Sequence, residues 1–572
     1  MMSLGIVGAL FLLGCTPVEK TAAQPNVLVI IADDLGWGDI GALGSEVSTP
    51  HIDSLAADGV MFTNFHTAST CSPSRSMLLT GVDSHLAGLG NMMTFMPDNQ
   101  RGKPGYEGHL NERVRTLGEL FQAGGYATGF FGKWHLGEEL GQLPHDRGFE
   151  HTLALLSGGA DTWSADGAVP VRPGIEAFSR NGELIERPAG FAGVLYTDAL
   201  LEFLTDPALG KSSPFLAVLS FQSVHWPHHA PDEYLARYAD RYDVGWDEIR
   251  RARHQRLIES GLLPAGTPMR ERDPRVSAWN ELDAATRRTE ARRMAAYAAM
   301  LDHMDYQIGR VLEELEGSGR ARNTIVVFVS DNGPDQSEPN RAPRAVAWYA
   351  ARYPETSDES LGRPGSFPTY GPQWAQSGAI HLSGYKGQAT EGGMRVPLIV
   401  RHPEGIAAGK RTDAFAFAPD LVPTLLEVAG LQHPAERPEQ GGDATIHPPT
   451  GRSAWPMLRG ASDRVHPADE AVGYELMTTA ALFQGDYKLV RNGPPTGNGE
   501  WMLFDLAQDP GEREDLSERQ FARKASMIRD FDSYAQRVGV VPVPEDYDVF
   551  KMLIGPPRSR PDTPDSGGGD DH

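Results

Sequence analysis

Asn26, Val27, Leu28, Val29, Ile30, Ile31 and Ala32 run without interruption into Asp33 and Asp34, and this stretch decides the fold class. A strand with one wet face alternates apolar and polar residues. An unbroken run rich in β-branched side chains belongs instead to a parallel strand buried on both faces. The same grammar returns at Thr324, Ile325, Val326, Val327, Phe328, Val329 and Ser330, which lead into Asp331, Asn332 and Gly333. Apolar runs at Ala127 to Phe131, Phe215 to Phe221 and Val396 to Val400 read as sister strands. Helical periods lie between them: Val114, Leu117, Leu120 and Phe121 stop at Gly124, and Met294, Tyr297, Leu301, Met304, Ile308, Val311 and Leu315 stop at Gly317. Alternating strands and helices predict an α/β fold, a large and mostly parallel sheet sandwiched by helices.

Outward from that sheet, Gly137 to Pro214, the Arg-rich Tyr242 to Arg293 and the Pro- and aromatic-rich Asp335 to Ser383 do not read as core, and are expected to be specificity-bearing insertions. A Pro-, Gly- and His-rich linker from about Gly430 to Thr450 marks a boundary. Beyond it, strands at Tyr487 to Arg491 and Trp501 to Leu506 and a helix carrying Phe521, Met527, Ile528 and Phe531 predict a smaller C-terminal α+β domain. The division expected is a leader over 1–24, a catalytic domain over 25–430, the α+β unit over 431–555 and a disordered tail over 556–572.

The 572 residues hold 76 acidic against 52 basic side chains, a net charge of −24. Such a surplus excludes nucleic-acid binding, which needs clustered Lys and Arg. It also demands a local source of positive charge if the substrate is an anion. Two cysteines exclude a disulfide-stapled scaffold. Cys15 closes an apolar run from Leu4 to Leu13, too short to span a bilayer and of the length of a signal-peptide core. Leu12, Leu13, Gly14 and Cys15 resemble a bacterial lipobox, so export to the periplasm or cell surface is expected, with a lipid anchor at Cys15 as the sole membrane attachment. An ordinary cleaved signal gives the same compartment.

Acidic pairs directly after buried strands matter because ligands of open parallel sheets bind at the carboxyl ends of strands. Asp33, Asp34, Asp331 and Asn332 would supply three carboxylates and an amide oxygen, a set suited to a hard cation, Ca²⁺ or Mg²⁺. Turn-making and helix capping are the competing use of such residues. Cys71 lies two residues before Pro73, and Ser74 to Leu79 continue as a helix, which places Cys71 at the positive end of its dipole.

Cys71, Ser72, Pro73, Ser74 and Arg75, followed by Leu79, Thr80 and Gly81, resemble the signature of the type I sulfatases, in which the Cys is oxidised to Cα-formylglycine. Matching motifs follow in the family's order: Asp33 and Asp34 with Gly36; Gly132, Lys133, Trp134, His135, Leu136 and Gly137; His225 with Pro227; Ser330 to Gly333; and Lys386 before Glu391, Gly392 and Gly393. The similarity runs from Pro25 to Leu503, Phe504, Asp505 and Leu506 and to Asp509, Pro510, Gly511 and Glu512. It is nearest to bacterial arylsulfatases of the pseudomonad type. Val82 departs from it, since many members carry Arg there.

The resemblance implies an alkaline-phosphatase-like fold and a sulfuric ester hydrolase. It implies one divalent cation, Ca²⁺ rather than Mg²⁺, held by Asp33, Asp34, Asp331, Asn332 and the modified Cys71. Hydrated formylglycine would attack sulfur through one hydroxyl, with Arg75 and Lys133 holding the diol. His225 or Lys386 would assist the leaving alcohol, and His135 would take the proton of the second hydroxyl to collapse a sulfate hemiacetal. The substrate expected is a sulfated small molecule or glycan, and a formylglycine-generating enzyme is the partner in maturation. Two further readings stand beside this one, a phosphate or phosphonate ester hydrolase on the same scaffold and a non-enzymatic lipoprotein that binds sulfated glycans. A binding module has no reason to assemble the full set of catalytic candidates.

Overall fold

The computed structural model describes residues 24–166, 177–210, 213–343, 345–436, 443–549 and 552. The apolar leader with Cys15 and the tail from Pro556 lie outside the described residues. The strands of the larger sheet are β1 Asn26–Ala32, β2 Val60–His66, β3 Ala127–Lys133, β4 His151–Leu155, β5 Phe178–Arg180, β6 Glu183–Ile185, β7 Phe215–Ser220, β8 Thr324–Ser330, β9 Arg395–Arg401, β10 Lys410–Thr412 and β11 Ala416–Phe417. Among the described residues these eleven strands run in the order β10-β2-β9-β8-β1-β7-β3-β4-β5-β6, with β11 also on β2.

β1 is the centre, parallel to β8 from Asn26 opposite Thr324 to Ala32 opposite Ser330, and parallel to β7 on its other side. β3 is parallel to both β7 and β4. Every residue of β1 is buried because both faces are covered: Leu28, Ile30 and Ala32 join one apolar cluster, and Val27, Val29 and Ile31 join the other. Each such aliphatic side chain contributes roughly 1.5–3 kcal/mol on leaving water, which explains the absence of polar alternation. The long helix Ala284–Gly317 and Ala192–Thr205 cover one face, while Cys71–Thr80 and Leu117–Ala123 cover the other. Thr116 caps the last of these through a reciprocal pair with Glu119.

Two expectations need correction. β9, over the run read as a sister strand, is antiparallel to β8 and β2. The chain re-enters the sheet where β8 leaves it, with the Gly333 amide donating to Gly393 O at 3.0 Å, so β9 can only run back. Gly137 to Pro214 is not peripheral either: it supplies β4, β5, β6 and a helix whose Tyr196, Leu200 and Phe203 are buried. Tyr242 to Arg293 likewise forms the helix Trp246–Glu259 with Trp246 and Arg253 buried. The strands β4, β5 and β6 are short and owe their stability to tertiary burial rather than to local propensity.

The smaller sheet is antiparallel, with β12 Ala471–Leu476, β13 Thr479–Gln484, β14 Tyr487–Asn492 and β15 Met502–Asp505 in sequential order. Ala480, Leu482, Leu489 and Leu503 pack on Met527, Phe531, Tyr534 and Val538 of the helix Phe521–Val538. Ala481, Phe483 and Val490 on the opposite face join the core of the large sheet.

Candidate active site

Four parallel strands end at one place, and each delivers chemistry there. Asp33 and Asp34 follow β1, Lys133 ends β3 with His135 just beyond, His225 follows β7, and Asp331 and Asn332 follow β8. β2 ends at His66 and leads to Cys71, the first residue of the helix Cys71–Thr80, whose Pro73 lies in the first turn. Lys386 comes from the turn ahead of β9.

Asp33 accepts from Lys133 Nζ at 2.6 Å, and its other oxygen lies 3.4 Å from Cys71 Sγ and 3.7 Å from Arg75 Nη2. Asp34 accepts from Asn332 Nδ2 at 2.7 Å and Lys386 Nζ at 2.8 Å, and Cys71 Sγ is 3.7 Å from it. Asp331 accepts from Arg75 Nε at 2.8 Å and from the Asp34 amide at 3.1 Å. Arg75 Nη1 donates to Lys133 O at 2.8 Å and Ser220 Oγ at 2.6 Å. His225 Nδ1 bonds Trp226 O at 2.6 Å, which leaves Nε2 turned towards Asp34 at 3.7 Å. Cys71, His135, His225 and Lys386 open onto a cleft of about 1490 Å³.

The backbone is bent to make this arrangement. Asp34 and His135 hold left-handed φ values of 62° and 56°, costing on the order of 1–3 kcal/mol each, as functional turns do. Gly132 has φ 126°, and a Cβ there would lie 1.7 Å from Ser220 O, so only glycine lets β3 deliver Lys133 against the end of β7.

Burial pushes Asp33 up to about 7, with Asp331 and Asp34 adding to it and Lys133 opposing. Asp34 is raised by burial in the same way, against Lys386. For Asp331 burial is outweighed by Arg75, Lys133 and Lys386, which hold it below the usual carboxylate range. Burial drives the Cys71 thiol well above its ordinary value, so the unmodified side chain is a poor nucleophile. Burial, then Lys386 and Lys133, hold His225 well below its ordinary value, as a neutral imidazole. Lys386 stays an ammonium because the carboxylates around it, Asp34 first and then Asp335, outweigh its burial.

One donor atom from each of Asp33, Asp34, Cys71 and Asp331 lies within 4.8 Å of the others, and all four residues are buried. Asn332 Oδ1 is buried without a hydrogen-bond partner although its Nδ2 has two. An orphaned amide oxygen beside three carboxylates is what a hard cation needs, so the cluster fits a metal ion.

Asp33, Asp34, Cys71, Arg75, Lys133, His225, Asp331, Asn332 and Lys386 are thus brought together, and His135 lines the same cleft. Sequence reasoning missed Ser220, which links Arg75 to Lys133 O, and Asp335, 3.4 Å from Lys386 and bonded by Trp226 Nε1 at 2.8 Å. Asp335 carried a signal in its place four residues beyond Asp331; Ser220 carried none.

A family model described as Sulfatase matches residues 25–431. The chain is 38% identical over 542 residues to an uncharacterized sulfatase of Schizosaccharomyces pombe, covering 92% of this chain and 96% of that one. It is 36% identical over 424 residues to an arylsulfatase of Klebsiella aerogenes, covering 71% and 87%. Among solved structures its fold is similar to that of Ps i-CgsB in complex with k-i-k-neocarrahexaose, with a TM-score of 0.63, 23% identity and coverage of 94% and 98%.

Proposed function

The chain belongs to the sulfatase family and is a sulfuric ester hydrolase, and from that premise we propose that Cys71 works as formylglycine beside one Ca²⁺ held by Asp33, Asp34, Asp331 and Asn332. The observation that carries this is the convergence of Cys71 Sγ on Asp33 and Asp34, 3.4 and 3.7 Å away, at the floor of an open cleft. Ca²⁺ is favoured over Mg²⁺ because the oxygens come from the protein, whereas Mg²⁺ keeps several waters. A cation held by these residues would supply positive charge that lowers the pKa of the hydrated aldehyde and stabilises charge developing on the sulfuryl oxygens.

The chain's own residues do the rest. Arg75, Lys133 and Lys386 each pair with one of the three carboxylates, and Lys386 also faces Asp335 at 3.4 Å, so a divalent cation held there would still leave net positive charge where the sulfate binds. That local charge resolves the conflict with an acidic protein. Arg75 is fixed by Asp331, Lys133 O and Ser220, and with Lys133 it orients the nucleophilic residue at 71. Lys386 and His225 line the cleft beside Cys71, and there they serve the leaving alcohol, the ammonium as proton donor and the neutral imidazole as positioning contact. His135, held by the bond from Ser72 Oγ to its carbonyl at 2.9 Å, takes the proton whose removal expels sulfate without attack of water on sulfur. The formylglycine-generating enzyme, export and a lipid anchor at Cys15 belong to the same proposal, as does a sulfated small molecule or glycan as substrate.

Mass spectrometry of the peptide ending at Arg75, from protein made with a formylglycine-generating enzyme, tests it. An aldehyde at position 71, with Cys71→Ala folded and inactive, is the expected result. An unmodified thiol in protein that still turns over sulfate esters refutes the mechanism.

A further inference from the structure

We propose that the cleft holds a second anion-binding subsite centred on Arg250, so that the preferred esters carry another anionic group, sulfate or carboxylate, on the alcohol part. This rests on the cleft being the sulfatase active site. Arg250 lies in the helix Trp246–Glu259, lines the same cleft as Cys71 and Lys386, and is only 2% exposed. Its Nη2 donates to Arg270 O at 2.8 Å and Glu271 O at 3.2 Å, while its Nε is buried with no partner. Among the described residues no carboxylate forms an ion pair with it. Asp247, the acid whose charge it feels most, already accepts from the Trp279 amide at 3.0 Å and lies 3.7 Å from Arg272.

Arg253, one turn further on, shows what this fold does with a buried guanidinium of structural use: Asp39 meets it at 2.6 Å and Glu46 at 2.8 Å. A buried cation left uncompensated is costly, and Arg250 is left so at the wall of an open cleft. Arg270 and Arg272 line the same wall and add positive potential to it. Of the acids lining the cleft, Asp273 pairs with Arg275 at 2.6 Å, Asp335 lies 3.4 Å from Lys386, Glu338 pairs with Arg293 at 2.8 Å, Glu512 pairs with Lys488 at 2.9 Å, and Glu271, between Arg270 and Arg272, is exposed to solvent. Arg250 and Lys386 line one and the same cleft, so a single ester can reach both. With Nη2 bonded to two backbone carbonyls, Nη1 is the donor left for an anion, and a charge-assisted bond from it suits a carboxylate or sulfate oxygen.

The test uses full-length formylglycine-bearing enzyme and three phenyl sulfates with a meta substituent: a second sulfate, a carboxylate, or a neutral carboxamide. For the wild type, kcat/KM for both anionic esters is expected to exceed that for the carboxamide by about tenfold or more, a preference that shrinks at high salt. Arg250→Met should remove the preference and leave carboxamide turnover within about threefold. Where that variant fails to fold, Arg270→Gln, on a partly exposed residue, should lower the preference severalfold. Turnover without preference, a preference that survives these substitutions, or equal loss on all three esters in Arg250→Met overturns the subsite. A response of only one anionic ester identifies the group recognised and supports the site. No turnover of any of the three by the formylglycine-bearing enzyme overturns aryl sulfates as its substrates and the subsite with them, while membership of the sulfatase family stands on sequence.

Discussion

Replacing His85 by Gln should flatten the alkaline side of the stability profile. His85 is 1% exposed in the short helix Ser84–Ala87 and lies between two acids, with Nδ1 3.2 Å from Asp83 and Nε2 2.9 Å from Glu475 of β12. Tyr534 of the last helix donates to the other Asp83 oxygen at 2.8 Å, so the imidazolium ties the small sheet and that last helix to the segment that follows the Cys71–Thr80 helix. Burial opposes its charge, but the bonds to Asp83 and Glu475 prevail and raise the pKa from 6.5 to about 9. A folded pKa above the unfolded one gives stability that is complete below about pH 6.5 and is lost as the pH rises through about 9. The gap corresponds to about 3 kcal/mol at most. The assay is urea unfolding at several pH values, followed by tryptophan fluorescence, for wild type and His85→Gln. The stability difference should narrow by about 2–3 kcal/mol between roughly pH 6.5 and 9.5. A difference that stays constant over that range refutes the charged clamp, as does one that widens.

Metal analysis of purified protein should find one tightly held Ca²⁺; chelation should abolish activity, and Asp331→Ala should lose both metal and turnover, so a fully active metal-free enzyme contradicts the site. His135→Ala should cleave an activated aryl sulfate once and then stall, which rapid mixing reads as a burst followed by very slow turnover; equal slowing of both phases places the base elsewhere. Gly132→Ala, with its Cβ directed at Ser220 O and a left-handed φ, should destabilise by about 3 kcal/mol or more. Thermal unfolding checks this, and an unchanged Tm would mean that β3 and β7 can part without cost.

β1, β8 and the acidic pairs that follow them were legible in the sequence because a doubly buried strand announces itself by an unbroken apolar run and strand ends are where such sheets place ligands. The helix of Cys71 was legible for a similar reason, since Pro73 and the residues after it carry a local start signal. The antiparallel course of β9 was not, because direction is set by where the preceding turn returns the chain, and β4 was hidden because its burial comes from neighbours distant in sequence. Ser220 became part of the site only through contact with Arg75 and Lys133 O. Arg250 and Arg253 make the same point most sharply. They stand three residues apart in one Arg-rich helix, and local sequence offers no reason to separate them. Tertiary packing surrounds Arg253 with two carboxylates and leaves Arg250 facing the cleft with none, because the free energy of a buried charge is decided by the groups folded against it.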